Sequence, residues 1–381
     1  MNKQQKNQLP YFRIKNEPEH FISARFLRRK FMPQLRKKFP RHYLITYNRR
    51  FYLKFIQAYS KTHPYFLRFD IDKYFLSIQH PILLSAIKSN YSRLTGKPLS
   101  RRFKQFLKHK LPPVLKLSPY PNQGLPLGNP LAHILAGIYL LKLDLGLPVP
   151  FLRFCDDYLL FGKTKDQPQK VLTQIINPIL TELSLSLNIK KSKSGKFHRD
   201  SVTFLGFNYY NGCIGISEDK IEEFKQRIKE ITYLTLKKPT PAIIKLLNNQ
   251  ILGFGHYYKF AKAKQALDEL DSFIRARLRR YINRNKDSRD KRVNLVLTSQ
   301  ILKQLKLKSL TEIYKKYASK KKVKLRKSGK IKGETAQRRV FYMQEISANY
   351  RQKQIVTELK ELTNLVKKLV KRISKIEEKL D

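Results

Sequence analysis

Residues 153–161 read Arg-Phe-Cys-Asp-Asp-Tyr-Leu-Leu-Phe, and residues 68–75 read Arg-Phe-Asp-Ile-Asp-Lys-Tyr-Phe. In both stretches carboxylates interrupt aromatic and aliphatic residues whose composition is that of buried strands. A strand end or hairpin tip reconciles the two demands, because the acids can then project while their neighbours fill a core. Several carboxylates in apolar surroundings need a cation to neutralise them. Mg²⁺ suits that task, since it takes oxygen ligands, keeps several waters and bridges to phosphates. Two such ions about 3.5–4 Å apart would activate an attacking hydroxyl and stabilise the leaving oxygen of an in-line phosphoryl displacement. Asp156-Asp157 alone is weak evidence, because Asp-Asp is common in turns. Its weight comes from what surrounds it.

Working outward, the 381 residues hold 80 Lys+Arg against 28 Asp+Glu, a formal charge of +52. So much like charge calls for a polyanion, and nucleic acid is the natural one. Membrane headgroups are the rival, but no apolar run of about 18 residues, signal peptide or lipidation signal is present. Hydrophobic content of 41% with 21 Tyr and 23 Phe is enough for packed cores. Two cysteines, Cys155 and Cys213, exclude a disulfide scaffold or a Cys-based zinc cluster and leave a reducing, cytoplasmic setting as the expectation. No internal repeat is visible.

The first 50 residues are basic and broken by Pro10, Pro18, Pro33 and Pro40, which predicts short helices and loops. From 51 to 210 apolar strands alternate with helices, with turn clusters at 118–128 and 188–199, so an α+β body is expected. Beyond Asn211 the periodicity is helical over 218–234, 241–251, 265–284 and 294–317. The Lys-rich stretch 320–332 reads as a tether. After it Ile355, Leu359, Leu362, Val366, Leu369, Ile373, Ile376 and Leu380 form a heptad seam. That seam is either a coiled coil joining copies or a second subunit, or an amphipathic helix packed on its own body; the tether favours association.

The order of motifs over 67–260 resembles that of the reverse transcriptases. Asp70 followed five residues later by Phe75 is similar to the family's palm motif, and Phe154-Cys155-Asp156-Asp157 to its aromatic-x-Asp-Asp motif, with Phe where Tyr is usual. Gly124–His133, running on through Ala136–Leu140, resembles the template-contacting loop and helix. Leu187-Asn188-Ile189-Lys190-Lys191-Ser192 resembles the Leu-Asn-x-x-Lys-Ser/Thr turn, and Val202–Phe207 the primer-grip hairpin. Leu247–Tyr258 resembles the thumb of group II intron-type enzymes. The resemblance implies a right-hand polymerase: fingers over 1–66, a palm over 67–210 with a finger insertion near 81–120, a helical thumb over 211–285, a basic extension over 286–353 and a coiled coil over 354–381. It implies RNA-directed DNA synthesis from dNTPs with two Mg²⁺ ions, or Mn²⁺ in their place.

Site residues carry over position by position. Asp70 and Asp156 would bridge the ions, with the Ile71 carbonyl as a further ligand and Asp157 in support. Asp72 shares a strand face with Asp70 and reads either as a ligand or, preferably, as a solvent-facing or Arg-paired acid. Phe75 would exclude a 2′-hydroxyl, with Leu127 and Gly128 beside the nucleotide; the rival reading makes Phe75 a core aromatic. Lys191 would act on the departing pyrophosphate or is one more surface Lys. Phe204, Leu205 and Gly206 would grip the primer. Arg41, Arg49 and Arg50 are candidates for the triphosphate, and Arg101, Arg102, Arg279, Arg280, Lys320, Lys321 and Lys322 for RNA.

Departures from the family pattern narrow the role. Leu127 stands where Gln is usual, as in diversity-generating retroelement enzymes and several bacterial defence lineages, while Ala132 and His133 match neither the common nor the retroelement pattern. His133 reads as a core histidine rather than a template contact. Short fingers, the altered loop and the heptad helix resemble a defence-associated enzyme working with a structured noncoding RNA. The alternatives are a retroelement enzyme with a basic accessory protein, and a maturase-like RNA-binding module with a vestigial polymerase site.

Overall fold

The computed structural model describes residues 18–38, 49–118, 120–233, 239–283, 298, 301 and 304–317. Arg41, the tether with Lys320, Lys321 and Lys322, and the 354–381 heptad lie outside the described residues. The chain divides into two compact units, 1–311 and 312–381. Of the second, residues 312–317 are described and are helical.

A four-stranded antiparallel sheet in the order β2-β3-β1-β4 forms the centre, from β1 (Tyr65–Phe69), β2 (Phe151–Phe154), β3 (Asp157–Gly162) and β4 (Lys193–Lys196). Tyr158, Leu159, Leu160 and Phe161 of β3 are all buried, as expected of a strand covered on both faces. Phe69 stacks on Tyr158 across the β1–β3 pair at 4.8 Å between centroids. One edge falls to β4, Lys-Ser-Gly-Lys, whose exposed lysines suit a strand that must not recruit another.

Helices pack around this sheet. They are α1 (Pro18–Lys38), α2 (Arg49–Thr62), α3 (Tyr74–Ser77), α4 (His80–Thr95), α5 (Arg101–Gln105), α6 (Leu111–Leu115), α7 (Pro130–Tyr139), α8 (Leu141–Gly146), α9 (Gln167–Val171) and α10 (Asn177–Glu182). The apolar sequence of α7 is explained by its position against α1 and α4, where Leu131, Ala132 and every residue from Ile134 to Tyr139 are buried. Asn129 opens it, its Oδ1 accepting from the Leu131 amide at 2.8 Å. The 21-residue α1 replaces the short pieces expected for this region and continues through Pro33.

A second sheet, β5 (Val202–Phe204), β6 (Phe207–Tyr210) and β7 (Cys213–Ile216), leads to the helices α11 (Glu218–Ile231), α12 (Thr240–Tyr258) and α13 (Lys264–Ile282). The purely helical segment expected from residue 211 therefore begins with a strand. Asn211 and Gly212 make the tight turn before it, both at positive φ. Arg277 of α13 binds the C-terminal turn of α11, donating to the Thr232 hydroxyl at 3.0 Å and to the Thr232 and Lys229 carbonyls. Residues 306–311 return onto α12 and α13. Asn248 donates to the Lys306 carbonyl and accepts from the Lys308 amide, and buried Asp271 accepts from Ser309 Oγ and the Leu310 and Thr311 amides. Among the described residues no helix is long and apolar enough to cross a membrane.

Candidate active site

The β2–β3 hairpin turns through two residues, Cys155 and Asp156, between the closing pair Phe154 and Asp157. Cys155 sits at φ +62°, which gives the tight turn and places Asp156 at its tip. Burial, followed by the charge of Asp156, pushes the Cys155 thiol up to about 12, so it stays protonated. Beneath the turn lies a pair that composition could not reveal. Arg153 and Asp144 meet at 2.9 Å, essentially without solvent exposure. Arg153 also donates to the carbonyls of Gly137 and Cys155, while Tyr158 donates to the other Asp144 oxygen. The turn that carries Asp156 is thus tied to α7 and α8.

Asp70 follows β1 directly and is buried. The segment after it pairs with 186–188: the Asn188 amide donates to the Asp70 carbonyl and the Asp72 amide to the Ser186 carbonyl, bracketing an Ile71–Leu187 bridge. In such a bridge the flanking residues supply the hydrogen bonds, so the Ile71 carbonyl points away from Leu187. The same pairing delivers Lys191, whose Nζ donates to Asp70 Oδ2 at 2.7 Å. Lys191 is therefore part of the acidic cluster rather than a stray surface lysine. Its pKa is raised, first by that hydrogen bond.

The two acids of the hairpin behave differently. Arg68 lies opposite Leu159, which puts Asp157 within its diagonal reach, and it donates to both carboxylate oxygens at 2.9 and 3.0 Å. Burial nevertheless pushes Asp157 up to about 6. The tip acid Asp156 is also pushed up to about 6, by burial and then by the facing charge of Asp70. A half-buried carboxylate whose ionisation is opposed by a facing charge is a donor in need of a cation. Among the described residues no group of three or more His, Cys, Asp or Glu gathers for a metal. A hard ion that uses one or two carboxylates, a carbonyl and phosphate oxygens would suit such a donor set, and Asp70, Asp156 and Ile71 are the residues that would hold it. Asp157, expected to support the site, accepts from Arg68 through both oxygens. Asp72 is half-buried and, among the described residues, makes no ion pair, unlike the Arg-paired alternative.

Phe75 is half-buried on α3, with its carbonyl accepting from the Leu125 amide at 2.7 Å. Leu127 is half-buried and Gly128 exposed at φ +83° in the loop before α7. His133 is exposed, contrary to the core position expected for it, because it lies on the one face of α7 left uncovered. At the β5–β6 turn Leu205 and Gly206 are half-buried at φ +54° and +74°, whereas the Phe204 side chain is wholly buried. A Cβ on Gly206 would come within 2.6 Å of Tyr258 Oη, and Tyr257 donates to the Leu205 carbonyl. The close approach at Gly206 is thus to α12. Arg49 stacks on Tyr257 at 3.9 Å, beside this turn. Arg101, Arg102 and Arg280 are exposed and Arg279 half-buried.

Comparison with protein-family models places residues 23–209 in the reverse transcriptase (RNA-dependent DNA polymerase) family and residues 221–295 in the group II intron, maturase-specific domain family. The two matches indicate a reverse transcriptase, a class of nucleotidyltransferases, related to the group II intron types. Comparison with curated proteins finds no match. Among solved structures, the chain is similar to a telomerase from Candida albicans in complex with a TWJ fragment of telomeric RNA, at 12% identity and TM-score 0.38, covering 75% of this chain and 54% of that one. It is also similar to apo telomerase from Candida Tropicalis, at 13% identity and TM-score 0.42, covering 75% and 51%. The chain spans about half the length of these structures.

Proposed function

We propose that this chain copies RNA into DNA, adding dNTPs to a primer at the cluster formed by Asp70, Asp156, the Ile71 carbonyl and Lys191. The observation that carries the reading is the 2.7 Å contact of Lys191 with Asp70 beside a hairpin-tip Asp156 that burial and Asp70 hold near pKa 6. Asp70, Asp156 and Ile71 would hold Mg²⁺, or Mn²⁺ in its place. Such ions, when bound, supply activation of the primer hydroxyl and charge stabilisation at the leaving oxygen. Arg68 orients Asp157 to buttress the hairpin, and Lys191 is placed to donate a proton or hydrogen bond to a departing pyrophosphate. Phe75 meets the incoming sugar. The fingers, palm and thumb follow the boundaries 1–66, 67–210 and 211–285.

The substrate-level role we propose is synthesis on a structured noncoding RNA held by the +52 surface, in a cytoplasmic antiphage defence system. The Leu127–His133 loop and the heptad at 354–381 support it. A second reading, an intron-type maturase function, is favoured by the match over 221–295. Purified full-length chain should extend a DNA primer on an RNA template in Mg²⁺ with the complementary sequence. Absence of RNA-templated extension would contradict the proposal, and sequencing the RNA bound in cells would separate the two roles.

A further inference from the structure

On α7, Leu131, Ala132 and Ile134 to Tyr139 are buried, and His133 alone is exposed. Its imidazole meets the Phe75 ring edge to face, with centroids 5.4 Å apart and planes at 79°. The backbone of Phe75 is fixed independently. Its carbonyl accepts from Leu125 N, and its neighbour Tyr74 donates through its hydroxyl to the Ala136 carbonyl, one turn along α7 from His133. Tyr74 in turn packs edge to face against Phe75 at 5.6 Å. The Phe75 ring therefore has two aromatic walls, one buried and one exposed.

We infer that His133 is a positioning residue for sugar selection: by bracing the exposed side of the Phe75 ring it holds that ring where a 2′-hydroxyl would collide. The inference rests on the reading of Phe75 as the residue that meets the sugar. A ring with one free χ1 well can swing away from a ribose, and an edge-to-face partner removes that freedom. The neutral imidazole suits the task. Desolvation, followed by the charge of Arg28 from α1, lowers its pKa, so at neutral pH it presents an uncharged ring to Phe75. An aliphatic residue at position 133 would leave a gap on that side, whereas an aromatic residue would keep the wall.

The test is single-nucleotide addition by the full-length chain on an RNA template with a DNA primer, measuring kcat/KM for a dNTP and for the matching rNTP. His133→Ala should raise the rNTP-to-dNTP ratio about three- to tenfold, Phe75→Ala should raise it further, and His133→Phe should restore the wild-type ratio. A ratio unchanged in His133→Ala while Phe75→Ala raises it would overturn the role of His133 and leave Phe75 standing. A ratio unchanged in Phe75→Ala would overturn the reading of Phe75 and the inference with it. Failure of His133→Phe to restore the ratio would show that an aromatic wall is not what acts. Loss of all synthesis in His133→Ala would place the residue in the chemistry instead.

Discussion

Asp156 and Asp157 are adjacent in the chain, yet one is held by a guanidinium and the other stands at a hairpin tip facing Asp70. Both are pushed up to about 6, from an ordinary 3.8. The native state thus binds more protons than the unfolded chain between about pH 4 and pH 6, and stability falls as pH rises through that window. At neutral pH and without divalent metal, Asp156 is a destabilising charge. Asp156→Asn should therefore raise stability at pH 7 by about 1–2 kcal/mol, a few degrees in Tm, with the gain vanishing near pH 4 where the wild-type acid is protonated. Thermal melts in a chelator across this range check it, and a neutral-pH loss of stability would show that Asp156 is satisfied without a cation. Such strain is the expected signature of a site built for a ligand rather than for the fold.

At the scale of the element, the β5–β6 turn shows how the second sheet and α12 are fitted together. Gly206 is needed twice, for its φ of +74° and because Tyr258 Oη occupies the space of a Cβ. Gly206→Ala should cost about 1–3 kcal/mol, and Tyr258→Phe, by removing the hydroxyl, should recover part of that loss in a double-mutant cycle. Additive losses in denaturant unfolding would contradict the contact.

The same region shows what was legible in the sequence. The acid-bearing strands, the Lys191 turn and the helices α11 to α13 could be read because apolar periodicity and turn residues mark them. The strand β7 was also readable, since Asn211-Gly212 is a strong hairpin signal, but the helical pattern beginning at Glu218 drew the boundary too early. β4 could not be read from Lys-Ser-Gly-Lys, because its strand conformation comes from pairing with β1 rather than from its own residues. The Asp144–Arg153 pair was equally invisible: nothing local in Leu-Asp-Leu-Gly says that a partner nine residues on will bury it. His133 was misread because a histidine in an apolar helix suggests the core, and only the packing of α1 and α4 shows which face stays open.

Over the whole molecule, the acids and the positive charge divide the work. Asp70 after β1, Asp156 on the β2–β3 hairpin and Lys191 from the 186–191 turn gather at one place, while the chain as a whole carries a formal charge of +52. The heptad at 354–381 is expected to set assembly. Deleting it should lower the oligomer order measured by light scattering, and an unchanged order would return that helix to the protein's own body.

If Asp70 and Asp156 form the centre for RNA-templated DNA synthesis, primer extension on an RNA template in Mg²⁺ should separate wild-type chain from Asp156→Asn, with RNA retention by both proteins measured in the same preparations. Synthesis by the wild type, a loss of at least about a thousandfold in the variant and equal RNA retention are expected. Synthesis by Asp156→Asn at the wild-type rate would contradict that assignment.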